Sequence, residues 1–312
     1  MAAPTLVTGA AGFAGSHLVD LLLAQGRDVV GWYRPGAPLP TCAGVRWRAV
    51  ELLDRADVQA AVDVDKPTRV FHCAGAAHVG QAWEHTTKAL AANALGTHYL
   101  LDALSRSSAD ARVLIPSSGL VYAPSTELLR EDHLLRPASP YGVSKLAQEM
   151  VGIGAVGGPR VFIARPFNHF GPRQAPIFVT AAFARQIAEI EAGDRPPVIS
   201  VGNLEARRDL TDVRDTVRAY DLILEHGVAE RPYNVCSGTA FPVSHILEAL
   251  LRRSSVSIRV EVDPTRYRPN DTPLVVGDRT RIGTDLGWEP RTTLDTTIDD
   301  LLAYWRQRVA QV

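Results

Sequence analysis

The segment Thr8-Gly9-Ala10-Ala11-Gly12-Phe13-Ala14-Gly15 constrains this chain more than any other. It lies between a strand-like run, Thr5-Leu6-Val7-Thr8, and a helical pattern from Phe13 to Gln25, with Leu18, Leu21 and Leu22 on one face and Gly26 as a stop. The spacing is G-x-x-G-x-x-G. Gly9 permits a tight turn, Gly12 lets backbone approach a pyrophosphate, and Gly15 lets helix pack close to strand. The helix N-terminus then offers free N–H groups and a positive dipole end to phosphate. A plain glycine turn would look similar alone, but its place between a strand and a helix points to a dinucleotide site.

The second strand of such a unit often ends in an acid that holds the ribose 2′-hydroxyl of NAD. Here it ends Val29-Val30-Gly31-Trp32-Tyr33-Arg34, without a carboxylate. Arg34 suits the 2′-phosphate of NADP, so NADP(H) is favoured, with NAD(H) as the alternative. Glu51 and Leu52, after the next strand, are candidates for the adenine end.

Short β-branched runs alternate with helical patterns through the first half. Strands are predicted at Asp28–Trp32, Val45–Val50, Arg69–Cys73, Val113–Ile115 and Arg160–Ala164, and helices at Ala89–Ser105 and Tyr141–Val151. This alternation implies an α/β fold of Rossmann type, a doubly wound parallel sheet with helices on both faces. After Arg165-Pro166 prolines break the chain repeatedly, leaving one helix over Gln174–Ala192 and a closing one over Asp295–Val309. The expected organisation is a dinucleotide-binding domain over residues 1–166, with a returning segment at about 210–237. Residues 167–209 and 238–312 would form a smaller substrate domain. At 312 residues, with 46% hydrophobic and 21% charged side chains, the chain has material for such a core. A net charge of -1 gives no electrostatic ground for a nucleic-acid or anionic-membrane partner. The 3 cysteines, Cys42, Cys73 and Cys236, are odd in number and widely spaced, which disfavours a disulfide framework or a cysteine zinc site. No apolar run reaches membrane-span length and no signal-peptide pattern opens the chain, so a cytoplasmic protein is expected.

Tyr141-Gly142-Val143-Ser144-Lys145 puts a phenol and an ammonium four apart at the start of a predicted helix, on one face. A phenol alone is a poor base at neutral pH, and a nearby ammonium should favour its phenolate. Such a pair can pass a proton to or from a carbinol oxygen while hydride moves. Upstream, Ile115-Pro116-Ser117-Ser118-Gly119-Leu120-Val121-Tyr122 leaves a strand at the carboxyl end of the sheet, where ligands bind.

Together TGAAGFAG, SSGLVY, YGVSK and RPFNHFGP resemble the extended short-chain dehydrogenase/reductase family of nucleotide-sugar epimerases, dehydratases and reductases. The resemblance covers essentially the whole chain. It implies that Tyr141 and Lys145 are the catalytic pair and Ser118 their hydroxyl partner. It also implies that Asn93 lies near the cofactor and that Cys73-Ala74-Gly75 is the small-residue turn beneath it. Asn168, Arg208 and Arg268 would meet a sugar-nucleotide diphosphate, with His78 lining the substrate pocket. The second half resembles most the GDP-mannose 4,6-dehydratase branch, which implies a GDP-sugar substrate. The resemblance implies that related dehydratases carry an acid two places after the Ser/Thr, in some branches an Asp-Glu pair, whereas here the two places are Gly119 and Leu120. The expected reaction is therefore reduction of a 4-keto-6-deoxyhexose, with a 4-epimerase holding NAD as the rival. No metal is called for; His78 and His169 lack companions at metal-site spacing. The Ala/Leu-rich helices at 89–105 and 141–151 imply a homodimer built through a four-helix interface.

Overall fold

The computed structural model describes residues 4–155, 157–263, 265 and 272–311. Among them the strands are β1 (Thr5–Thr8), β2 (Val29–Tyr33), β3 (Val45–Ala49), β4 (Arg69–His72), β5 (Arg112–Pro116), β6 (Arg160–Pro166), β7 (Asn168–Phe170), β8 (Val198–Val201), β9 (Arg207–Asp212), β10 (Pro232–Val235), β11 (Ala240–Pro242), β12 (Arg259–Val262) and β13 (Leu274–Val275). The main sheet has 7 strands in the order β10-β6-β5-β4-β1-β2-β3, every pair parallel. This is the doubly wound Rossmann arrangement expected from the sequence. The order reverses at β1, so the ends of β1 and β4 open a crevice where a dinucleotide fits.

The central strands are buried on both faces, which is why β1, β5 and β6 read as apolar runs without alternation. Helices Phe13–Ala24 and Val213–His226 cover one face, through Leu18, Leu22, Val217, Tyr220 and Ile223. Helices Arg55–Asp65 and Gly96–Ser107 cover the other with Val58, Val62, Leu100 and Leu104, and Val151 of helix Pro140–Ile153 joins them. Local chemistry sets their ends. Asp54 caps Arg55–Asp65 by accepting from Ala56 and Asp57 N–H, and Ser139 caps Pro140–Ile153 with proline in the first turn.

The second half packs around Phe183, Ile187, Ile199, Leu247, Leu250 and Leu301. Two small sheets frame it: β11-β9-β13 with β7 beside β9, and β12 with β8. The helix expected over Gln174–Ala192 runs only from Val179 to Glu191. Pro176 disfavours helical backbone before it, and Phe178 is extended at the helix N-cap.

One buried ion pair ties the Pro140–Ile153 helix to the sheet. Arg165 on β6 donates through Nε and Nη2 to both Glu149 carboxylate oxygens, at 2.9 and 2.7 Å. Glu149 is fully buried and Arg165 nearly so. Arg165 Nη1 also donates to the Tyr122 hydroxyl at 2.9 Å, and that hydroxyl donates to Asn234 Oδ1 at 2.7 Å. Removing one partner strands the other charge in an apolar interior. Arg165→Met should therefore lower unfolding free energy by about 3–5 kcal/mol in chemical denaturation. Adding Glu149→Leu should recover most of that loss; a double variant as unstable as the single would refute this account.

Candidate active site

A cavity of about 1010 Å³ opens over the carboxyl ends of the main strands and runs into the second half. Its dinucleotide end is built by close backbone approach. A Cβ on Gly9, where φ is +64°, would stand 2.8 Å from the Ala74 backbone. One on Gly15 would stand 2.2 Å from Gly9 O. Gly12 caps the Phe13–Ala24 helix without any side-chain hydrogen bond, so that helix's first N–H groups remain for a phosphate. Gly9, Gly12, Phe13, Gly15, Arg34, Glu51, Leu52, Cys73, Ala74 and Gly75 all line the cavity. A dinucleotide fits this cradle, since a side chain at either outer glycine would close it.

Arg34 is exposed just after β2, and its guanidinium has no hydrogen-bond or ion-pair partner among the described residues. The Glu51 carboxylate accepts from Leu53 N–H at 3.2 Å, which leaves its second oxygen for a ligand. Asn93 plays a different part. It is fully buried and sits behind the cavity wall. Its Oδ1 accepts from Ala76 N–H at 2.8 Å, and its Nδ2 donates to the Ser144 hydroxyl at 2.8 Å. Asn93 thus joins the Cys73–Ala76 turn to the helix carrying Tyr141 and Lys145 from within a π-helical turn, Ala91–Leu95. Gly75, at φ +150°, makes room for it; a Cβ there would lie 2.3 Å from Asn93 Oδ1.

Ser118, Tyr141 and Lys145 converge on the same cavity. Ser118 follows β5, caps the short turn Gly119–Val121 by accepting from Leu120 N–H at 3.1 Å, and lies beside Tyr141 in the cavity lining. Burial pushes the Tyr141 phenol up to about 12, and the Ser118 hydroxyl opposes that rise. The sequence suggested that Lys145 would favour the phenolate. In the structure burial dominates, and the ammonium turns to Gln148 Oε1 at 2.6 Å. Burial lowers Lys145 to about 8. A phenol held protonated is a proton donor, which suits reduction of a carbonyl.

Toward the second half, Asn168 at the start of β7 lines the cavity. The His169 ring stacks on Phe13 at 5.7 Å, tying the glycine turn to β7. His78 caps helix Val79–Glu84 through Nδ1 and meets the Phe178 ring edge-on at 5.4 Å, where both line the cavity. Arg208 lines it too, and its Nη1 donates to Thr272 O at 2.7 Å. The neighbouring Asp209 carboxylate is fully buried and accepts from Ser237, Gly238 and Gly277 N–H, fixing β9 beneath Arg208. Arg268 lies outside the described residues. Among the described residues no cluster of three or more His, Cys, Asp or Glu side chains is placed to hold a metal. No helix among them is long and apolar enough to cross a membrane.

Gly119 and Leu120 occupy the positions where a dehydratase needs proton-moving groups. Gly119 is packed so tightly that a Cβ would meet the Phe167 ring at 3.0 Å, and Leu120 presents only hydrocarbon to the cavity.

The fold and this Ser-Tyr-Lys cavity define an oxidoreductase, an extended short-chain dehydrogenase/reductase. Residues 6–301 match the family described as GDP-mannose 4,6 dehydratase, and the chain belongs to it. The chain is 35% identical to GDP-6-deoxy-D-mannose reductase of Pseudomonas aeruginosa, over 98% of each. Human GDP-mannose 4,6 dehydratase is 25% identical, over 95% of this chain and 90% of that one. Among solved structures, RMD from Pseudomonas aeruginosa complexed with NADPH superposes with a TM-score of 0.84 at 33% identity, covering 98% of this chain and 99% of that one.

Sequence reading missed several groups at the site. Gln148 is three residues beyond Lys145 and on its helical face, a signal that spacing alone could have given. Thr8, His72 and Thr97 meet only through the fold.

Lys145 costs stability, because its folded-state value lies below its unfolded one. The unfolded chain binds more protons between about pH 8 and 10.5, so stability should rise with pH across that window and level off above it. Lys145→Met should accordingly raise the unfolding free energy at pH 7, by about 2 kcal/mol, while abolishing turnover. Calorimetry that found this variant less stable than the parent would refute the assignment of a strained, buried ammonium.

Proposed function

We propose that the protein reduces the C4 ketone of a nucleotide-linked 4-keto-6-deoxyhexose with NADPH, NADH being the alternative reductant. GDP-4-keto-6-deoxy-D-mannose is the favoured substrate, giving GDP-D-rhamnose or its C4 epimer. The observation that carries this reading is the assembled Ser118-Tyr141-Lys145 set beside a Gly119-Leu120 pair that can move no proton. Dehydration needs additional acid and base groups; ketone reduction does not.

Bound in the glycine cradle, NADPH supplies hydride to the carbonyl carbon. Gly9, Gly12 and the Phe13 helix N-terminus hold the pyrophosphate, and the unpartnered Arg34 meets the 2′-phosphate. Ser118 orients the ketone oxygen. Tyr141 gives that oxygen its proton, and Lys145 stabilises the phenolate left behind. Asn168 and Arg208 hold the diphosphate, with Arg268 as a third contact and His78 against the sugar. Residues 1–166 with 210–237 form the dinucleotide domain, and 167–209 with 238–312 the nucleotide-sugar domain. Three unpaired cysteines and a reductive cofactor fit the cytoplasm.

A homodimer completes the reading. Leu95, Val143 and Met150 are exposed at helical spacing on helices packed side by side, with Ala91, Ala94 and Ala147 around them. A twofold axis through this face would bury them in a four-helix interface. Met150→Glu should convert a dimer to a 33.8 kDa monomer in light scattering. A parent protein that is already monomeric overturns the proposal.

Mixing the protein with GDP-4-keto-6-deoxy-D-mannose should oxidise NADPH stoichiometrically and give a 6-deoxy sugar whose C4 configuration NMR reads. Substrate conversion without net NADPH consumption would instead favour a 4-epimerase. Tyr141→Phe should keep NADPH binding while turnover falls by at least about 100-fold; undiminished turnover would remove Tyr141 from its role.

A further inference from the structure

Lys145 is buried in the reaction cavity, yet it forms no ion pair among the described residues. The nearest carboxylate in sequence, Glu149, is committed to Arg165. The ammonium donates instead to a neutral group, Gln148 Oε1, at 2.6 Å. What holds that carbonyl in place follows from counting protons. The Thr97 hydroxyl oxygen lies 2.5 Å from Asn93 O, 2.9 Å from Gln148 Nε2 and 2.9 Å from His72 Nε2. A backbone carbonyl only accepts, so the single Thr97 proton goes to Asn93 O. Thr97 therefore accepts from both other neighbours. Gln148 must present its NH2 to Thr97, which turns its oxygen to Lys145. His72 must carry its proton on Nε2, which leaves Nδ1 bare to accept from the Thr8 hydroxyl at 2.8 Å. Thr8 in turn accepts from Ala74 N–H at 3.1 Å. Every donor and acceptor in the chain from the Ala74 turn to Lys145 has one possible direction. Burial keeps His72 neutral, lowered to about 3, in agreement with a bare Nδ1.

We infer that Gln148 is a positioning residue for the reduction: its carbonyl, locked by Thr97, fixes where the Lys145 ammonium stands. The inference rests on the reading of Lys145 as the group that stabilises the Tyr141 phenolate. A carbonyl holds an ammonium less tightly than a carboxylate does, so Lys145 is anchored and still free to act on the ligand and on Tyr141. The other titratable groups facing it are few. Cys73, on the turn after β4, is pushed up to about 12 by burial and stays a neutral thiol. His72 on β4 is neutral. Tyr141 on the same helix stays protonated to about 12. Tyr220, from the helix on the opposite face of the sheet, couples to Cys73 and Tyr141 and lies well above the usual phenol range. Glu149 favours the charged form of Lys145 from behind. The first group to titrate above neutrality is therefore Lys145 itself, at about 8. Reduction should lose kcat/KM as pH rises through that value, because the ammonium that supports the phenolate is lost.

The test is the pH profile of kcat/KM in Gln148→Leu, Gln148→Glu and Lys145→Met, with the pH dependence of thermal stability measured without ligand. Gln148→Leu removes the acceptor, so the basic limb and the onset of the stability rise should both move down by about one pH unit. Gln148→Glu places a carboxylate on Lys145, and Thr97 can turn its proton from Asn93 O to the new group. The limb and the onset should then move up by at least about one unit. A purely structural role for Gln148 cannot give shifts of opposite sign. If Lys145→Met is inactive and neither Gln148 variant moves the limb, the inference fails while the reading of Lys145 stands. If Lys145→Met keeps parental turnover, that reading falls and the inference with it. Should Gln148→Leu not fold, Gln148→Glu decides alone, and an unmoved limb overturns the proposal.

Discussion

The bidentate pair between Arg165 and Glu149 is the contact on which the geometry of the reaction site depends. Glu149 is four residues beyond Lys145 on the same helix. Arg165 stands on β6, three residues before Asn168. The pair therefore fixes the helix carrying Tyr141 and Lys145 against the strand that leads into the substrate half. A buried ion pair is a weak source of net stability, since desolvation offsets much of the attraction. Its value here is directional. Two parallel hydrogen bonds define the rotation of the helix on the sheet, and the remaining Arg165 nitrogen extends the constraint to Tyr122 and Asn234.

A second constraint acts at the other end of the cavity, and it works through absent atoms. Gly9, Gly15 and Gly75 each stand where a Cβ would strike backbone or the Asn93 side chain. This closeness brings the ends of β1 and β4 within reach of the Phe13 helix. It also lets Asn93 and Thr8 tie the Cys73–Ala76 turn to the helices behind it. The glycine turn and the helix carrying Tyr141 and Lys145 are thus one hydrogen-bonded unit. The stacking of His169 on Phe13 carries it into the second half.

These constraints explain what could be read from the sequence. The glycine turn, the Ser-Tyr-Lys set and the strand-helix alternation are local patterns with local causes, and all three sets of residues border one cavity or its sheet. The Arg165–Glu149 pair, the Thr8–His72–Thr97 chain and the Asn93–Ser144 bond join residues 16 to 64 positions apart, and no periodicity announces them. Two expectations erred for physical reasons. Pro176 delays the helix expected from Gln174 until Val179. Burial, which a sequence does not display, outweighs the Lys145 charge at Tyr141 and leaves its phenol a donor.

The proposed reduction differs from the elimination after which the chain's family is described. A 4,6-elimination begins by oxidising a carbinol, so its tyrosine must first accept a proton, and further groups must then take the C5 proton and expel the 6-hydroxyl. At the two positions after Ser118, Leu120 is hydrocarbon and Gly119 is tightly packed, with the Phe167 ring 3.0 Å from where a Cβ would stand. Placing an acid at Gly119 would require Phe167 to move, and Phe167 packs in a cluster with Tyr122, Cys236 and Val275 beneath the site. The positions after Ser118 therefore support the proposed reduction through residue type at Leu120 and through packing at Gly119.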